Sequence, residues 1–419
     1  MQAVIVGNGI AGDTVASTMR SIDKEVGITI VSKDRHPLYS ACVLPKKYLS
    51  NEMEREEVFL RKKSYYKDND INLIGGKEVQ KVNTESKSVI LNSKSIGYDK
   101  LVIASGSRPG IPPFGRVEKN GIFCLKTIED ADAIKGHKGR KAVVIGSGPI
   151  GIESAVALHK IGYEVTVIEM LDRILPKLFD TKEAAILCST LKDNGIRVLT
   201  GELVSEILGK KTVEGVVTAR RKLECDTVLL TCGMRPNTEF LIDSGIETGK
   251  YRGIKVNAKM ETNIDDVYAC GDCVETKDVV TGEDRLSLLW HTAMLQGYVA
   301  GCNSLEVSKI YPGSLNFTVV EVFEKYAVSS GNTFEELMGR KSKIFEDDSG
   351  GTYKKLIVSD DSIIGLQFIG EDLSFDIGFI LGAIRRGESI TRLEEITENA
   401  SLLSHTPWVN WARSFTFKP

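Results

Sequence analysis

No run of apolar residues in this 419-residue chain approaches the roughly 20 that a membrane span needs. A bilayer-embedded protein is therefore not expected. Charge of one sign is missing too: 54 Lys and Arg stand against 57 Asp and Glu, a net of −3, with no basic block. Nothing in that balance attracts a phosphate backbone, so nucleic acid is not an expected partner and small molecules are. The opening residues, MQAVIVGNGIAG, lack a basic n-region and break their apolar run with glycines. No signal peptide is expected, and the chain reads as soluble and cytoplasmic. The eight cysteines are neither dense nor evenly spaced, which argues against a secreted disulfide framework. Each is a reduced thiol until argued otherwise, and no metal site is assigned.

What is present is length and an internal repeat. At 419 residues two or three domains are expected. Residues 3–32 and 142–170 share one pattern: an apolar strand, G-x-G-x-x-G, a helix-period segment and a second apolar strand. Gly7 and Gly146 suit a tight strand-to-helix turn, Gly9 and Gly148 a close approach of backbone to pyrophosphate, and Gly12 and Gly151 close packing of helix on strand. The helix N-terminus then faces phosphates with its free N–H groups. A lone motif of this kind is weak, whereas two in matching βαβ contexts are strong. The repeat continues in YDKLVIASGSRPGIPP (98–113) and CDTVLLTCGMRPNTEF (225–240), with room in each copy for a small antiparallel insert, read in the second at 198–224. From about Tyr311 the texture changes to alternating strands, including a hairpin turning at Asp360 and Asp361, and then a helix in FDIGFILGAIRRG.

With VIVGNGIAG, YDKLVIASGSRP, VVIGSGPIGIE, LLTCGMRPN and DDVYACGDC in that order, the chain resembles the pyridine nucleotide-disulfide oxidoreductase superfamily of flavoproteins. The resemblance implies an α/β fold of glutathione reductase type: two Rossmann-like dinucleotide-binding domains, the second inserted in the first, and a C-terminal α+β interface domain. It places an FAD domain at 1–113 and 251–310, an NAD(P)H domain at 114–250 and a dimerisation domain at 311–419, with a homodimer expected. It further implies FAD contacts from Gly7, Gly9, Ile10, Ala11 and Gly12, from Ala104, Ser105, Gly106 and Arg108, and from Gly271 and Asp272; Val79 is assigned to the same site. At the end of the second strand, where many relatives carry an acid for the FAD ribose, this chain has Ser32, Lys33 and Asp34, and Asp34 is the expected contact. The second fold would hold the nicotinamide nucleotide through Gly146, Gly148, Ile150, Gly151 and Gly233. Glu169 ends its second strand about 20 residues on from the glycines, where a carboxylate accepts from the ribose 2′-OH and repels a 2′-phosphate. NADH is thus favoured over NADPH, although Arg173 nearby is a residue able to reach a phosphate. Glu153 matches the position whose carboxylate lies near the nicotinamide.

The superfamily divides by how electrons leave the flavin. Here there is no C-x4-C pair on the first helix, and the only C-x-x-C, Cys270 and Cys273, encloses the Gly-Asp of the FAD motif and reads as core. Cys42 in YSACVLPKKYLS resembles the single cysteine of coenzyme A disulfide reductases and NADH oxidases or peroxidases. The same stretch also resembles the Tyr-Ser-basic-Pro segment of rubredoxin, ferredoxin and nitrite reductase flavoproteins. Near a helix start and beside Lys46 and Lys47, a thiol would ionise readily and attack a disulfide or peroxide; otherwise Cys42 is a small apolar residue. Catalytic roles are assigned to Cys42, Lys46 and Glu153. The implied function is hydride transfer from NADH to FAD and on through Cys42 to a small disulfide (such as coenzyme A disulfide), polysulfide, peroxide or oxygen. The alternative is electron delivery to an iron-sulfur partner with Cys42 a spectator. His405 reads as structural, Trp290-His291 as packing beside the flavin, and Cys124, Cys188, Cys225, Cys232 and Cys302 as core thiols. The aromatic tail 407–417 is expected to pack on a second subunit or on its own core.

Overall fold

The structure, a computed structural model, describes residues 1–92, 94–113, 118–337, 342–349, 351–373 and 377–391. The chain divides into two compact units. The first comprises Met1–Val43, Met53–Arg108 and Met234–Ser314. Its centre is a parallel sheet of Gln2–Val6, Gly27–Val31, Ile71–Ile74, Lys100–Ile103 and Val267–Ala269. The inner strands are covered on both faces and so read as near-continuous apolar runs, AVIV in Gln2–Val6 and LVI in Lys100–Ile103, rather than alternations. Ala3 and Ile5 pack with Ala11, Val15 and Met19 of the helix Ile10–Ile22 and with Ala293 and Val299 of the helix Trp290–Ser304. Val4 and Val6 face the other way, against Val82, Val89 and Leu91. Those last residues belong to the antiparallel insert Lys81–Asn83, Ser88–Leu91 and Lys94–Gly97.

Gln2–Val6 is the middle strand: Gly27–Val31 and Ile71–Ile74 follow on one side, Lys100–Ile103 and Val267–Ala269 on the other. The connections therefore leave in opposite directions at this strand and open a crevice beyond the carboxyl ends of Gln2–Val6 and Lys100–Ile103, where ligands bind in folds of this plan.

The second unit comprises Leu44–Glu52, Pro109–Gly233 and the described residues from Leu315 on. It repeats the plan, with parallel strands in the order Arg197–Leu199, Glu164–Ile168, Lys141–Ile145, Thr227–Leu230, Ile122–Cys124. The segment 198–224 supplies the expected antiparallel insert, Val204–Leu208, Gly215–Thr218 and Lys222–Glu224. The helix Pro149–Lys160 starts with proline, whose missing N–H costs nothing there, and ends on His159 and Lys160, which complement the helix dipole.

The same unit carries the C-terminal antiparallel sheet, ordered Phe317–Val322, Lys325–Gly331, Ser362–Gly370, Thr352–Ser359, Ser342–Ser349. Its hairpin turns at Asp360 and Asp361, with φ of 48° and 64°. This two-residue turn with both central φ positive matches the strand twist. The helix Ile377–Arg386 follows.

The limits of the two units depart from the domain limits read in the sequence, most of all at two places. Leu44–Glu52 packs in the second unit, because Leu44 and Leu49 are fully buried there and Lys135 Nζ lies 3.9 Å from the Tyr48 ring centroid and 3.0 Å from the Tyr48 carbonyl. The chain also returns to the first unit at Met234 rather than near 251. No helix among the described residues is long and apolar enough to cross a membrane. His405 and the aromatic tail lie outside the described residues.

Candidate active site

The first crevice is built by three turns. Gly7 has φ +110°, and a Cβ there would fall 2.1 Å from the Ala104 carbonyl oxygen; at Gly12 it would fall 2.0 Å from the Gly7 oxygen. Both glycines are required by the protein's own packing. Gly9 is different. Its φ of −75° and ψ of −176° suit any residue, and a Cβ would meet no protein atom within 4 Å. A glycine that the fold does not need, at a helix N-terminus, leaves room for a ligand that comes close to the backbone. The second fold reproduces the contrast. Gly146 has φ +102° with Thr231 O 2.5 Å from a would-be Cβ, and Gly151 has Gly146 O at 2.2 Å, while Gly148 again faces open space. Both sites thus fit a dinucleotide.

Around the first crevice, Asn8 Nδ2 donates to the His36 carbonyl and to Tyr66 Oη at 3.2 and 3.0 Å, tying the turn to the segment that leads to Cys42. Ser107 Oγ donates to Asp272 Oδ2 at 2.7 Å, so the structure brings Asp272 to the end of the Ala104-Ser105-Gly106 turn. That turn is clamped by Asn237, which the sequence reading passed over. Ser105 Oγ donates to the Asn237 carbonyl at 2.7 Å, and Asn237 Nδ2 returns a bond to the Ser105 carbonyl at 2.9 Å. The signal was available in the Arg-Pro-Asn of the second repeat. Arg108 is committed to the Pro236 carbonyl, Asn237 Oδ1 and Glu239. Gly271, with φ +83°, sits against Ala11, and Ile10 is half-buried beside it on the chain.

Asp34 accepts from the His36 N–H and from Tyr39 Oη, each at 2.8 Å, and so shapes the loop after the second strand. Ser32 and Val79 are buried, and Lys33 pairs with Glu78 at 3.0 Å on the exposed surface.

Cys42 lies in the 3-10 turn Ala41–Val43 and is exposed. The helix expected here is a correction: one 3-10 turn is followed by a single π turn, Leu44–Tyr48, too short to bring a useful dipole to the thiol. Residues before it are held firmly, with Ser40 N–H bonded to the Val58 carbonyl at 2.9 Å and Tyr39 edge-on to Phe59. Cys270, Cys273, Cys225 and Cys302 are buried as expected, and burial pushes the first three thiols up. Cys232 is not a core residue: it is exposed at the end of Thr227–Leu230, while Cys124 and Cys188 are half-buried. Its sulfur nevertheless turns inward to the Ile145 carbonyl at 3.3 Å, and burial reinforced by Glu169 raises the thiol to about 11.

In the second unit Glu169 is buried, and its carboxylate accepts from Ser147 N–H and Oγ and from Leu171 N–H at 2.7 to 2.9 Å. Ile150 is half-buried in the first turn of Pro149–Lys160, and Gly233, at φ +93°, is exposed.

Glu153, on the same helix, is brought to Lys46 and to Glu321 of the C-terminal sheet. Lys46 Nζ stands 3.5 Å from Glu153 and 3.3 Å from Glu321, and the Glu321 N–H points at Glu153 Oε1 at 3.5 Å. Nothing local in the sequence announces Glu321. Burial raises the Glu153 carboxyl to about 7, with the Glu321 charge adding and Lys46 opposing. Lys46 loses by burial, but the two carboxylates outweigh that and hold it cationic. Its charge is thus directed at carboxylates.

A carboxyl raised from 4.5 to about 7 binds its proton more tightly in the native chain, so its contribution to stability is complete below pH 4.5 and is lost as pH rises through 7. The loss corresponds to roughly 3 kcal/mol. Glu153→Gln should therefore gain unfolding free energy relative to the native chain between pH 5 and 8, measured by urea titration. A flat difference would mean that Glu153 is ionised throughout.

Residues 1–297 match the family model described as pyridine nucleotide-disulphide oxidoreductase. The chain belongs to that family. It is an FAD- and NAD(P)H-dependent oxidoreductase with two Rossmann-like domains and a C-terminal domain, as the resemblance implied. Among family members, an NADH oxidase of Methanocaldococcus jannaschii is 32% identical, with 88% of each chain covered. A nitrite reductase [NAD(P)H] of Bacillus subtilis is also 32% identical over 88% of this chain, which spans only 46% of that protein. An NAD-dependent persulfide reductase from A. fulgidus superposes with a TM-score of 0.88 at 31% identity, covering 94% of this chain and 78% of that one.

Proposed function

We propose that this oxidoreductase takes hydride from NADH and passes the two electrons through Cys42 to a small sulfur acceptor, a disulfide, polysulfide or persulfide. One observation carries the reading: in the unit with the first crevice, Cys42 is exposed while Cys270, Cys273 and Cys302 are buried. An exposed thiol on a segment tied to the glycine turn can meet a substrate; buried ones cannot. Two of the proteins that this chain is similar to are named as a persulfide reductase and an NADH oxidase, which supports the reading. A homodimer in the cytoplasm is the proposed setting.

Gly7, Gly9, Gly12, the Ala104-Ser105-Gly106 turn and Asp272 would hold FAD, and Gly146, Gly148, Gly151 and Glu169 would hold NADH. FAD supplies the two-electron relay between nicotinamide and thiol. Cys42 Sγ attacks one sulfur of the acceptor, forming a new S–S bond as the other sulfur leaves as a thiolate. Reducing that mixed disulfide consumes the two electrons of one NADH and frees both thiols. Glu153 exchanges a proton near neutral pH, and Lys46 keeps a positive charge beside it.

The test is an anaerobic NADH titration followed by flavin absorbance. The oxidised native protein should take up two electrons more per FAD than Cys42→Ser, or show a thiolate-to-flavin charge-transfer band that the variant lacks. Identical titrations would sink the thiol route and favour electron delivery to an iron-sulfur partner.

A further inference from the structure

Arg173 is the residue that leaves the nucleotide preference open in the sequence, and its surroundings decide what it does. It lies on the loop that leaves the strand Glu164–Ile168 through Glu169. That loop is pinned to the glycine turn on both sides of the arginine: Leu171 N–H donates to Glu169 at 2.9 Å, and Leu175 N–H donates to the Ser147 carbonyl at 3.0 Å. An arginine in this place is the ordinary ligand for a 2′-phosphate.

Here its guanidinium is already enclosed. Nε donates to the Phe179 carbonyl at 3.1 Å, one terminal nitrogen reaches Asp172 at 3.1 Å, and the other reaches Glu335 at 2.6 Å. Only 19% of the side chain is exposed. Glu335 comes from the C-terminal part of the unit, in the 3-10 turn Glu335–Leu337. Its other carboxylate oxygen accepts from Thr181 N–H and Oγ1 at 3.0 and 2.8 Å, which fixes the carboxylate against the start of the helix Thr181–Asp193. The C-terminal sheet grips the same loop further on. Ser329 Oγ and Gln367 Nε2 both donate to the Leu178 carbonyl, at 2.7 and 3.1 Å, and Asp180 accepts from the N–H groups of Phe334 and Glu335, each at 3.0 Å.

We propose that Glu335 is a specificity-determining residue: it holds Arg173 in an ion pair remote in sequence from the nucleotide fold, and so makes the second site selective for NADH over NADPH. A 2′-phosphate would meet the Glu169 carboxylate and an arginine whose charge Asp172 and Glu335 already neutralise. The proposal rests on reading the second fold as the nicotinamide nucleotide site.

The test is calorimetric binding of 5′-AMP and of adenosine 2′,5′-bisphosphate to the FAD-loaded full chain. Glu335→Gln keeps a carbonyl oxygen for Thr181 but puts an amide, which cannot accept, toward Arg173. The variant should bind the bisphosphate about tenfold more tightly than the native protein, with 5′-AMP affinity unchanged. Adding Arg173→Gln should abolish that gain, and Arg173→Gln alone should leave both affinities as they are. An unchanged ligand ratio in Glu335→Gln, or weaker bisphosphate binding in Arg173→Gln alone, would overturn the proposal; the second result does not depend on Glu335→Gln folding. If neither 5′-AMP nor NADH binds the native protein, the reading of the second fold fails, and the proposal falls with it.

Discussion

Replacing Cys42 by serine should lower turnover with a disulfide or polysulfide acceptor about a thousandfold or more, while NADH reduction of an artificial acceptor such as ferricyanide stays within about twofold. The split follows from where Cys42 lies. It is exposed in a 3-10 turn of the first unit, and the atoms packed closest to Gly7 and Gly12 come from Ile5, Gly7, Ala104 and Ser105. Serine conserves its size and leaves those turns alone, but a hydroxyl is not appreciably ionised at neutral pH and does not form the mixed disulfide. A steady-state comparison of the two acceptors reads the split directly. Equal losses with both acceptors would mean that the substitution damages the flavin site itself. No loss with either would make Cys42 a spectator and move the exit of electrons to a protein partner.

The second large effect separates two glycines of one motif. Gly12→Ala should destabilise the apoprotein by about 2–4 kcal/mol, because the new Cβ would fall 2.0 Å from the Gly7 carbonyl oxygen and backbone must move to admit it. Gly9→Ala should leave apoprotein unfolding within about 0.5 kcal/mol of the native chain, since the added methyl group enters open space on an unstrained backbone. It should nevertheless weaken FAD binding at least tenfold, because that space is where the helix N-terminus meets a pyrophosphate. Apoprotein unfolding and flavin fluorescence quenching measure the two quantities separately. An alanine at position 9 that retains FAD normally would place the pyrophosphate elsewhere.

The two Rossmann-like folds were legible in the sequence because what specifies them is local. Gly7 and Gly146 must take positive φ, Gly12 and Gly151 must admit the carbonyl oxygens of Gly7 and Gly146, and the apolar runs before them are buried. Even the hairpin at Asp360 and Asp361 was visible, since its turn chemistry lies within the turn. The segment around Cys42 was read less well: the thiol was placed near a helix start and beside Lys46 and Lys47, and only packing shows that Lys46 turns to carboxylates. The pairings that tune the site were decided by tertiary structure alone. Lys46 meets Glu321 across 275 residues, and Arg173 meets Glu335 of the 3-10 turn Glu335–Leu337, through contacts with no period, motif or spacing to reveal them. A glycine's requirement is written in its own backbone, whereas a charge pair exists only once two distant surfaces have been buried together.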